Sequence, residues 1–424
     1  MSLSYNVRFR KVNLAGRVLL EKEGEIILID KGFRLRGKGA QDRGEILYFS
    51  DVKEISVNGD VISLITFGKD YFELCHIGSL IGQLIKDIYS ARNAFLIDAL
   101  FLKQGKLVNE FDAYFERSNQ ADRDLGKGRA RIRLYEESIV VIPEEYDAFS
   151  LSFNFMQMQD FDDDEYLFRV TMDNGTIVLL SQFGNTYEEF QEQFYSQMSH
   201  MYQTVIDQFE YLFIEFPKEK LVKLAHFMRH GRAVKMKDIT KIDKDLGIKV
   251  MDCVFKDEAY AKTIEPLRSR VDDDHLFVGL CVSDGKKDIY RFMVIFALTA
   301  DNIMACTLGS YEKDLRKVQD TYFFRIIMEQ GVPEDQTTQK VLEINQACLL
   351  LNFVPDPLYK DKRELKNSIY KYAIRKLSFL RILRSSFLAR CPSILPELFA
   401  RNFERVMAKA KIPQNIQKDP DMTE

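Results

Sequence analysis

The sequence is most informative at first in what it lacks. It has no tryptophan, and it has only five histidines and six cysteines among 424 residues. The cysteines form no Cys-x-x-Cys pair, which argues against a disulfide framework and favours a reducing compartment. No apolar run approaches the roughly 20 residues of a membrane-spanning helix. Charges also interrupt the N-terminal stretch before it reaches signal-peptide length. We therefore expect a cytoplasmic protein.

Motifs for known chemistry are also missing. The phosphate-binding spacing G-x-x-x-x-G-K-[ST] does not occur, and no histidine has neighbours suited to nucleophilic catalysis. His226 and His230 are four residues apart but have no third metal ligand nearby in the sequence. The acidic clusters 160–166 and 270–275 lack the calcium-loop spacing and are better explained as turns. We expect no catalysis, no metal and no cofactor.

The composition is that of a folded protein with several cores. Hydrophobic residues make up 46% and charged residues 29%, and 32 Phe and 19 Tyr provide large side chains for burial. A chain of this length favours more than one domain. The net charge is −4, yet residues 359–411 contain fourteen basic and four acidic residues. The sequence therefore predicts an acidic body with a basic C-terminal segment.

Three similar phrases indicate an internal repeat. They are "CHIGSLIGQLIKDIYSA" from Cys75, "SQFGNTYEEFQEQFYSQM" from Ser181 and "CTLGSYEKDLRKVQDTYF" from Cys306. In each, an apolar run ends at Gly followed by Ser, Asn or Thr, and an amphipathic stretch follows. This pattern predicts a strand leading into a capped helix, with Ser79 and Thr186 as the caps of the first two. The first two helices are expected over 79–102 and 186–213.

Strand-like segments precede the first two phrases. Asn-Gly turns in "VNGD" and "MDNGT" predict hairpins in both copies. A second, shorter helix is predicted after each long one, in "GKLVNEFDAYFER" from Gly105 and "EKLVKLAHFMRHGR" from Glu219. The third copy is looser: it starts at Gly231, contains an inserted helix or loop in "DEAYAKTIEPLRSRVDDD" and has a hairpin at 284–285.

These patterns predict an α+β chain with five parts. Residues 1–120 and 121–230 form the first two modules, 231–357 a divergent third, 358–412 a basic helical segment and 413–424 a disordered tail. The element order, and phrases such as "LYFSDVKEISVNGDVISLITFGKDYFEL", resemble the pleckstrin-homology-like (PH-like) superfold over 16–102 and, next best, over 128–209. The resemblance implies tandem antiparallel barrels, each closed by a long helix. PH-like modules bind lipids, peptides or proteins, so it does not specify a ligand.

The first candidate binding site is the glycine-rich loop "RGKGAQDRG". Arg36, Lys38 and Arg43, with backbone N–H groups, could hold a phosphate. The resemblance implies the same, because PH-like modules often bind phosphorylated headgroups at such a loop. The alternative is a hairpin loop without a ligand.

The second candidate site is the basic segment, predicted as one helix of about 30 residues ending near Cys391. Its candidate anion-binding residues are Lys366, Lys371, Arg375, Lys376, Arg381 and Arg384. The helix could dock on the acidic body, bind an anionic membrane or contact nucleic-acid phosphates. An acidic body without a known nucleic-acid motif makes the last less favoured.

Together these features predict a non-catalytic cytoplasmic adaptor that binds a protein partner. A peripheral membrane protein is the first alternative and a nucleic-acid-associated factor the second. The sequence leaves the oligomeric state open.

Overall fold

The computed structural model describes residues 3–39, 42–119, 124–255, 258–282, 289–312, 315–326, 335–361, 363–365, 368–392 and 395–411. The fold is α+β, with two curled antiparallel half-barrel sheets followed by a third antiparallel sheet. Among the described helices, none is long and apolar enough to cross a membrane.

The first sheet has seven strands in the order β4-β3-β2-β1-β7-β6-β5. Its strands are β1 (Ser4–Asn13), β2 (Val18–Ile29), β3 (Gly32–Gly37), β4 (Glu45–Tyr48), β5 (Val52–Asn58), β6 (Val61–Thr66) and β7 (Asp70–Cys75). Helix α1 (Ile81–Ala99) follows and buries Leu84 and Ile88 against the concave face. The hairpin predicted at "VNGD" is confirmed between β5 and β6.

The second sheet repeats this order strand for strand, as β11-β10-β9-β8-β14-β13-β12. Its strands are β8 (Leu107–Asn119), β9 (Asp124–Tyr135), β10 (Ser138–Pro143), β11 (Phe149–Ser152), β12 (Met156–Asp162), β13 (Leu167–Met172) and β14 (Thr176–Ser181). Helix α2 (Tyr187–Leu212) follows, and α3 (Lys218–Met228) comes next. The two predicted long helices and the helix from Glu219 are therefore confirmed.

The two sheets share even their irregularities. A 3₁₀ turn lies between the fourth and fifth strands of each, at Phe49–Asp51 and Phe153–Phe155. The register of the fifth strand then shifts at the same place, between Val52 and Glu54 in the first sheet and between Met156 and Met158 in the second. Since a bulge displaces every following side chain, the same bulge at the same position indicates a true structural repeat.

The helix predicted from Gly105 is wrong. Residues 107–119 form strand β8, in which Phe111, Ala113 and Phe115 are buried and the residues between them are more exposed. This alternation is the period of a strand with one buried face. The shared Lys-Leu-Val at 106–108 and 220–222 therefore starts a strand in one place and belongs to a helix in the other.

The third sheet has the order β15-β16-β17-β18-β19-β20. Its strands are β15 (Val234–Lys235), β16 (Leu276–Val282), β17 (Ile289–Leu298), β18 (Ile303–Glu312), β19 (Leu315–Arg325) and β20 (Phe387–Cys391). Apolar cores cover both faces, with Phe292 and Phe323 in one core and Met293 and Phe324 in the other. The helices around it are α4 (Met236–Ile242), α5 (Lys244–Phe255), α6 (Glu258–Arg268) and α7 (Asp335–Leu350).

The third predicted helix, after Cys306, is also wrong, because that phrase forms the hairpin of β18 and β19. Gly309 does not start a helix; a Cβ atom there would lie 2.1 Å from Cζ of Phe292. The glycine lets the aromatic ring pack on the backbone of the neighbouring strand. Of the two alternatives for the inserted segment, helix or loop, the structure shows a helix, α6. The predicted turn at 284–285 lies outside the described residues.

The basic segment is not one helix. It forms α8 (Asp356–Tyr359), α9 (Lys371–Lys376), α10 (Ser378–Ser386) and then strand β20, which pairs with β19. A last helix, α11 (Pro396–Ala410), follows. The C-terminal segment is therefore built into the third sheet and its cores. The tail at 413–424 lies outside the described residues.

The predicted helix caps are confirmed only in position, and only for one helix. Ser79 lies inside the 3₁₀ turn Gly78–Leu80, and Leu80 holds the N-cap position of α1. Thr186 does hold the N-cap position of α2, but its hydroxyl donates to the Phe183 carbonyl and does not cap the helix.

Candidate functional site

The glycine-rich loop offers few free cations. Arg36 pairs with Glu25 across β2 and β3, and Nζ of Lys38 lies 2.9 Å from Glu23. Arg43 is exposed and has no side-chain partner among the described residues. The three predicted residues do not converge on one point through their hydrogen bonds, so the proposed phosphate site remains a prediction.

The cations of the basic segment are mostly engaged by the chain itself. Arg375 stacks on the Phe67 ring at 4.2 Å, and Arg384 donates to the carbonyls of Pro357 and Lys360 at 2.7 and 2.8 Å. Arg381 donates to the carbonyl of Arg375 at 3.1 Å. Among the described residues Lys371 is exposed and has no side-chain partner, and Lys366 lies outside the described residues.

Lys376 belongs to a junction of the first module, the second module and the C-terminal segment. Its Nζ lies 2.9 Å from Oδ2 of Asp147, in the loop between β10 and β11, and donates to the carbonyl of Lys53 at 2.6 Å. Arg92 of α1 donates to both Asp147 oxygens, at 2.6 and 3.1 Å. We call Arg92, Asp147 and Lys376 the junction triad.

Arg92 also donates hydrogen bonds to the first residues of β5, the edge strand of the first sheet. Its guanidinium donates to the carbonyls of Val52 and Lys53 at 3.3 and 3.4 Å, and it is 0% exposed. The Tyr372 hydroxyl donates to the same Val52 carbonyl at 3.4 Å. Donors from α1 and from the C-terminal segment therefore occupy the start of the β5 edge.

The electrostatics of the triad are balanced by its own members. Burial would raise the pKa of Asp147, but the hydrogen bonds and charge of Arg92, with Lys376 in addition, hold it below its usual range. Burial likewise opposes the charge on Arg92, and Asp147 outweighs it and raises the pKa of the guanidinium. Arg92 and Asp147 therefore stabilise each other's charged form.

In the second module a different arginine covers the equivalent turn. Arg229, which directly follows α3, donates to the carbonyls of Phe153, Asn154 and Met156 at 2.8, 3.2 and 2.5 Å. The middle of β12 beyond this turn is an outer edge of the second sheet.

Apolar groups flank that open β12 edge. Met158 is 52% exposed, whereas the first module has Glu54 at the same position after the bulge. Phe161, three residues on and therefore on the opposite face of the strand, contacts the exposed Tyr195 of α2 with ring centroids 5.1 Å apart. We call Met158, Phe161 and Tyr195 the edge patch.

The other candidates from the sequence are structural. The His226 ring packs at a tilt against Tyr202 with ring centroids 4.5 Å apart, and His230 Nε2 lies 3.2 Å from the Cys281 sulfur. Asp162 and Asp272 accept backbone N–H groups of the turns that follow them, as the turn interpretation predicts. Among the described residues no cluster of three or more His, Cys, Asp or Glu side chains is arranged to hold a metal.

Sequence reasoning missed the junction triad, although α1 carries a signal for it. Leu84, Ile88 and Leu96 are buried at intervals of four residues, and Arg92 occupies the remaining position of that stripe. A charge inside an apolar stripe requires a buried partner. Asp147 has no comparable signal, because it lies in a loop 55 residues away.

Comparison with models of known protein families gave no match, and comparison with curated proteins gave none either.

Proposed function

We propose that the chain is a non-catalytic binding protein whose second module captures an extended segment of a protein partner along β12. The edge patch is the observation that carries this proposal. An edge strand exposes unpaired N–H and C=O groups that can pair with a strand from another chain. Met158 on one face and Phe161 with Tyr195 on the other would contact alternate side chains of such a strand.

The strand order and the helix after each of the two sheets support assignment of both modules to the PH-like superfold. That fold would account for a partner-binding role without a catalytic site, since PH-like modules act as binding platforms. A cytoplasmic adaptor is the role in the cell that fits this proposal.

The contrast between the two modules supports a binding role for the second. Natural proteins protect exposed edges with charges or with covering elements. An arginine occupies the equivalent carbonyl at the start of both edges, that of Val52 in the first module and of Met156 in the second. The modules differ after the bulge, where Glu54 supplies a charge in the first. In the second module the position of Glu54 is taken by the exposed Met158.

Peptide selection tests the proposal. The full chain would be used to select binders from a random peptide library, and the affinities of the selected peptides would then be measured for variants. We expect the selected peptides to have alternating apolar residues. We expect Met158→Glu to weaken their binding about tenfold, or ~1.4 kcal/mol. Leu19→Glu, at an equally exposed apolar residue of the first module, is the control and should leave binding unchanged. Unchanged binding by Met158→Glu would refute the proposal.

The alternatives of membrane and nucleic-acid binding rested on the basic segment. Since Arg375, Lys376 and Arg384 contact other parts of the chain, fewer cations are left for an external anion. Truncation before this segment would also remove β20 from the third sheet, so it would change more than the basic charges. Sedimentation with anionic vesicles, with the exposed Lys371→Glu variant for comparison, is the better test, because charge-dependent sedimentation would favour the membrane alternative.

A further inference from the structure

A cavity of about 530 Å³ lies between the second sheet and the helices that follow the third. Strand β11 forms one wall, Leu349 and Leu350 of α7 contribute a second, and residues 376–379 close a third. Its volume is in the range of small-molecule sites, and such sites often form where domains meet. Apolar side chains make up much of the lining, with a few polar groups among them.

Arg117 of β8 lines this cavity in an unusual state. Its guanidinium stacks on the Phe149 ring at 4.4 Å. Among the described residues it has no ion-pair partner, and its Nε atom is buried without a hydrogen-bond acceptor. Burial lowers the pKa of this side chain, and no neighbouring carboxylate offsets the effect.

A desolvated charge without a counterion is costly, and proteins normally pair such groups. The same molecule illustrates this rule, because the fully buried Arg92 is matched by Asp147. Arg117 has no equivalent. An anion from outside the chain would supply the missing partner, and a guanidinium recognises carboxylate or phosphate through two parallel hydrogen bonds.

The charges around Arg117 indicate where such an anion would lie. A second cavity, of about 440 Å³, also touches Arg117 but is lined by Glu54 and Glu145, which would repel an anion. Asp147 lines both cavities and does not distinguish them. In the 530 Å³ cavity the ionised side chains are Arg117, Lys376 and Asp147. Since Asp147 is already paired with Arg92 and Lys376, the 530 Å³ cavity favours a negatively charged ligand.

A second unpartnered group lies in the same wall. Ser152 of β11 is 8% exposed, it lines the 530 Å³ cavity, and its Oγ has no hydrogen-bond partner among the described residues. Buried hydroxyl groups are usually satisfied, so an unsatisfied one beside a cavity is consistent with an absent ligand.

We propose that the 530 Å³ cavity binds a small amphipathic oxyanion. Its carboxylate or phosphate head pairs with Arg117, and its apolar body lies against the side chains of Phe149, Leu349 and Phe379. The site is separate from the edge patch, and its ligand would hold together the second module and the C-terminal helices.

Calorimetric titration of the full chain tests this proposal with four probes: decanoate, decyl phosphate, decanol and inorganic phosphate. We expect decanoate, decyl phosphate or both to bind. The one that binds more tightly shows whether the site prefers a carboxylate or a phosphate head group. Decanol and inorganic phosphate should each bind at least about tenfold more weakly, since the first lacks the charge and the second the apolar body. The proposal would be overturned if decanol or inorganic phosphate bound as tightly as the decyl anions, or if neither decyl anion bound.

Two variants link the result to Arg117. Arg117→Met keeps an unbranched side chain but removes the guanidinium, so it should weaken binding of the decyl anion at least about tenfold, whereas Arg131→Met, at an exposed arginine on β9, should not. Without ligand, Arg117→Met should raise the Tm, because it removes an unpaired desolvated charge. A lower Tm together with unchanged binding would show that Arg117 only stabilises the fold, and would refute the proposal.

Discussion

The junction triad allows a quantitative test of how the three parts of the chain are held together. We expect Arg92→Met and Asp147→Asn each to destabilise the protein, and the double variant to be much less destabilised than the two effects combined. The reason is that each single variant leaves a charge without its partner. In Asp147→Asn that charge is the guanidinium of Arg92, which is 0% exposed.

The expected magnitudes follow from burial. Removing one partner of a buried ion pair costs about 3–5 kcal/mol. Asp147→Asn belongs near the upper end, at about 4 kcal/mol, because Arg92 has no contact with water. Arg92→Met belongs near the lower end, at about 3 kcal/mol, because the Asp147 side chain is 29% exposed and keeps Lys376 as a partner. The double variant should lose about 4–5 kcal/mol, which gives a coupling energy of about 2–3 kcal/mol.

Urea unfolding followed by circular dichroism and tyrosine fluorescence measures these values, since the chain has 19 tyrosines and no tryptophan to dominate the emission. Lys38→Met is the control: it removes an ion pair whose side chains are 70% and 65% exposed, and it should leave the midpoint unchanged. Additive effects of Arg92→Met and Asp147→Asn would refute the inference that the triad couples the modules.

Three further predictions concern other parts of the chain. Gly82 lies on the exposed face of α1 with no atom within 4 Å of a new Cβ, so Gly82→Ala should stabilise the protein by about 0.5–1 kcal/mol in urea unfolding. Gly24→Ala should destabilise the protein, because its Cβ would lie 1.9 Å from the Arg36 carbonyl oxygen. The opposite order of stabilities would contradict both expectations. Burial raises the pKa of Asp173 despite the nearby Arg232, so the ionised carboxylate destabilises the fold above that pKa. Asp173→Asn should therefore raise the Tm at pH 7, and this gain in Tm should shrink as the pH falls to about 4. A gain that does not change with pH would contradict this cause. The pKa of Asp147 is lowered instead, so its contribution to stability is present above about pH 4 and is lost as the pH falls further. Below about pH 4, the stability of the wild type should therefore fall more steeply than that of Asp147→Asn. Parallel plots of stability against pH would contradict the stabilising role of the ionised Asp147.

The first two modules were predictable because their patterns are local. Asn-Gly turns specify the hairpins through the backbone angles that glycine allows, and the amphipathic period of α1 and α2 identifies both long helices. Where two periods competed, the prediction from Gly105 chose the wrong one. The alternation of Phe111, Ala113 and Phe115 was the stronger signal, and it decided the fold once it lay beside β9.

The third unit was less predictable because its strands are covered on both faces. Tyr322, Phe323 and Phe324 are consecutive and all buried, so β19 has no polar face that would reveal a period of two. The same holds for the basic segment, where Phe387 pairs with a strand that lies more than 60 residues earlier. Pairing over that distance depends on packing partners that a local pattern does not contain.

The identical bulges make the difference between the two modules interpretable. Both fifth strands begin with a covered 3₁₀ turn and shift register after it, so Glu54 and Met158 occupy equivalent places on equivalent edges. An exposed methionine on an outer edge invites association, and a glutamate opposes it. Arg92 and Lys376 tie the start of the β5 edge to the rest of the chain, whereas Met158 is exposed on the outer strand β12. Under the proposed function, the first copy would stabilise the junction and the second would be the one available to a partner.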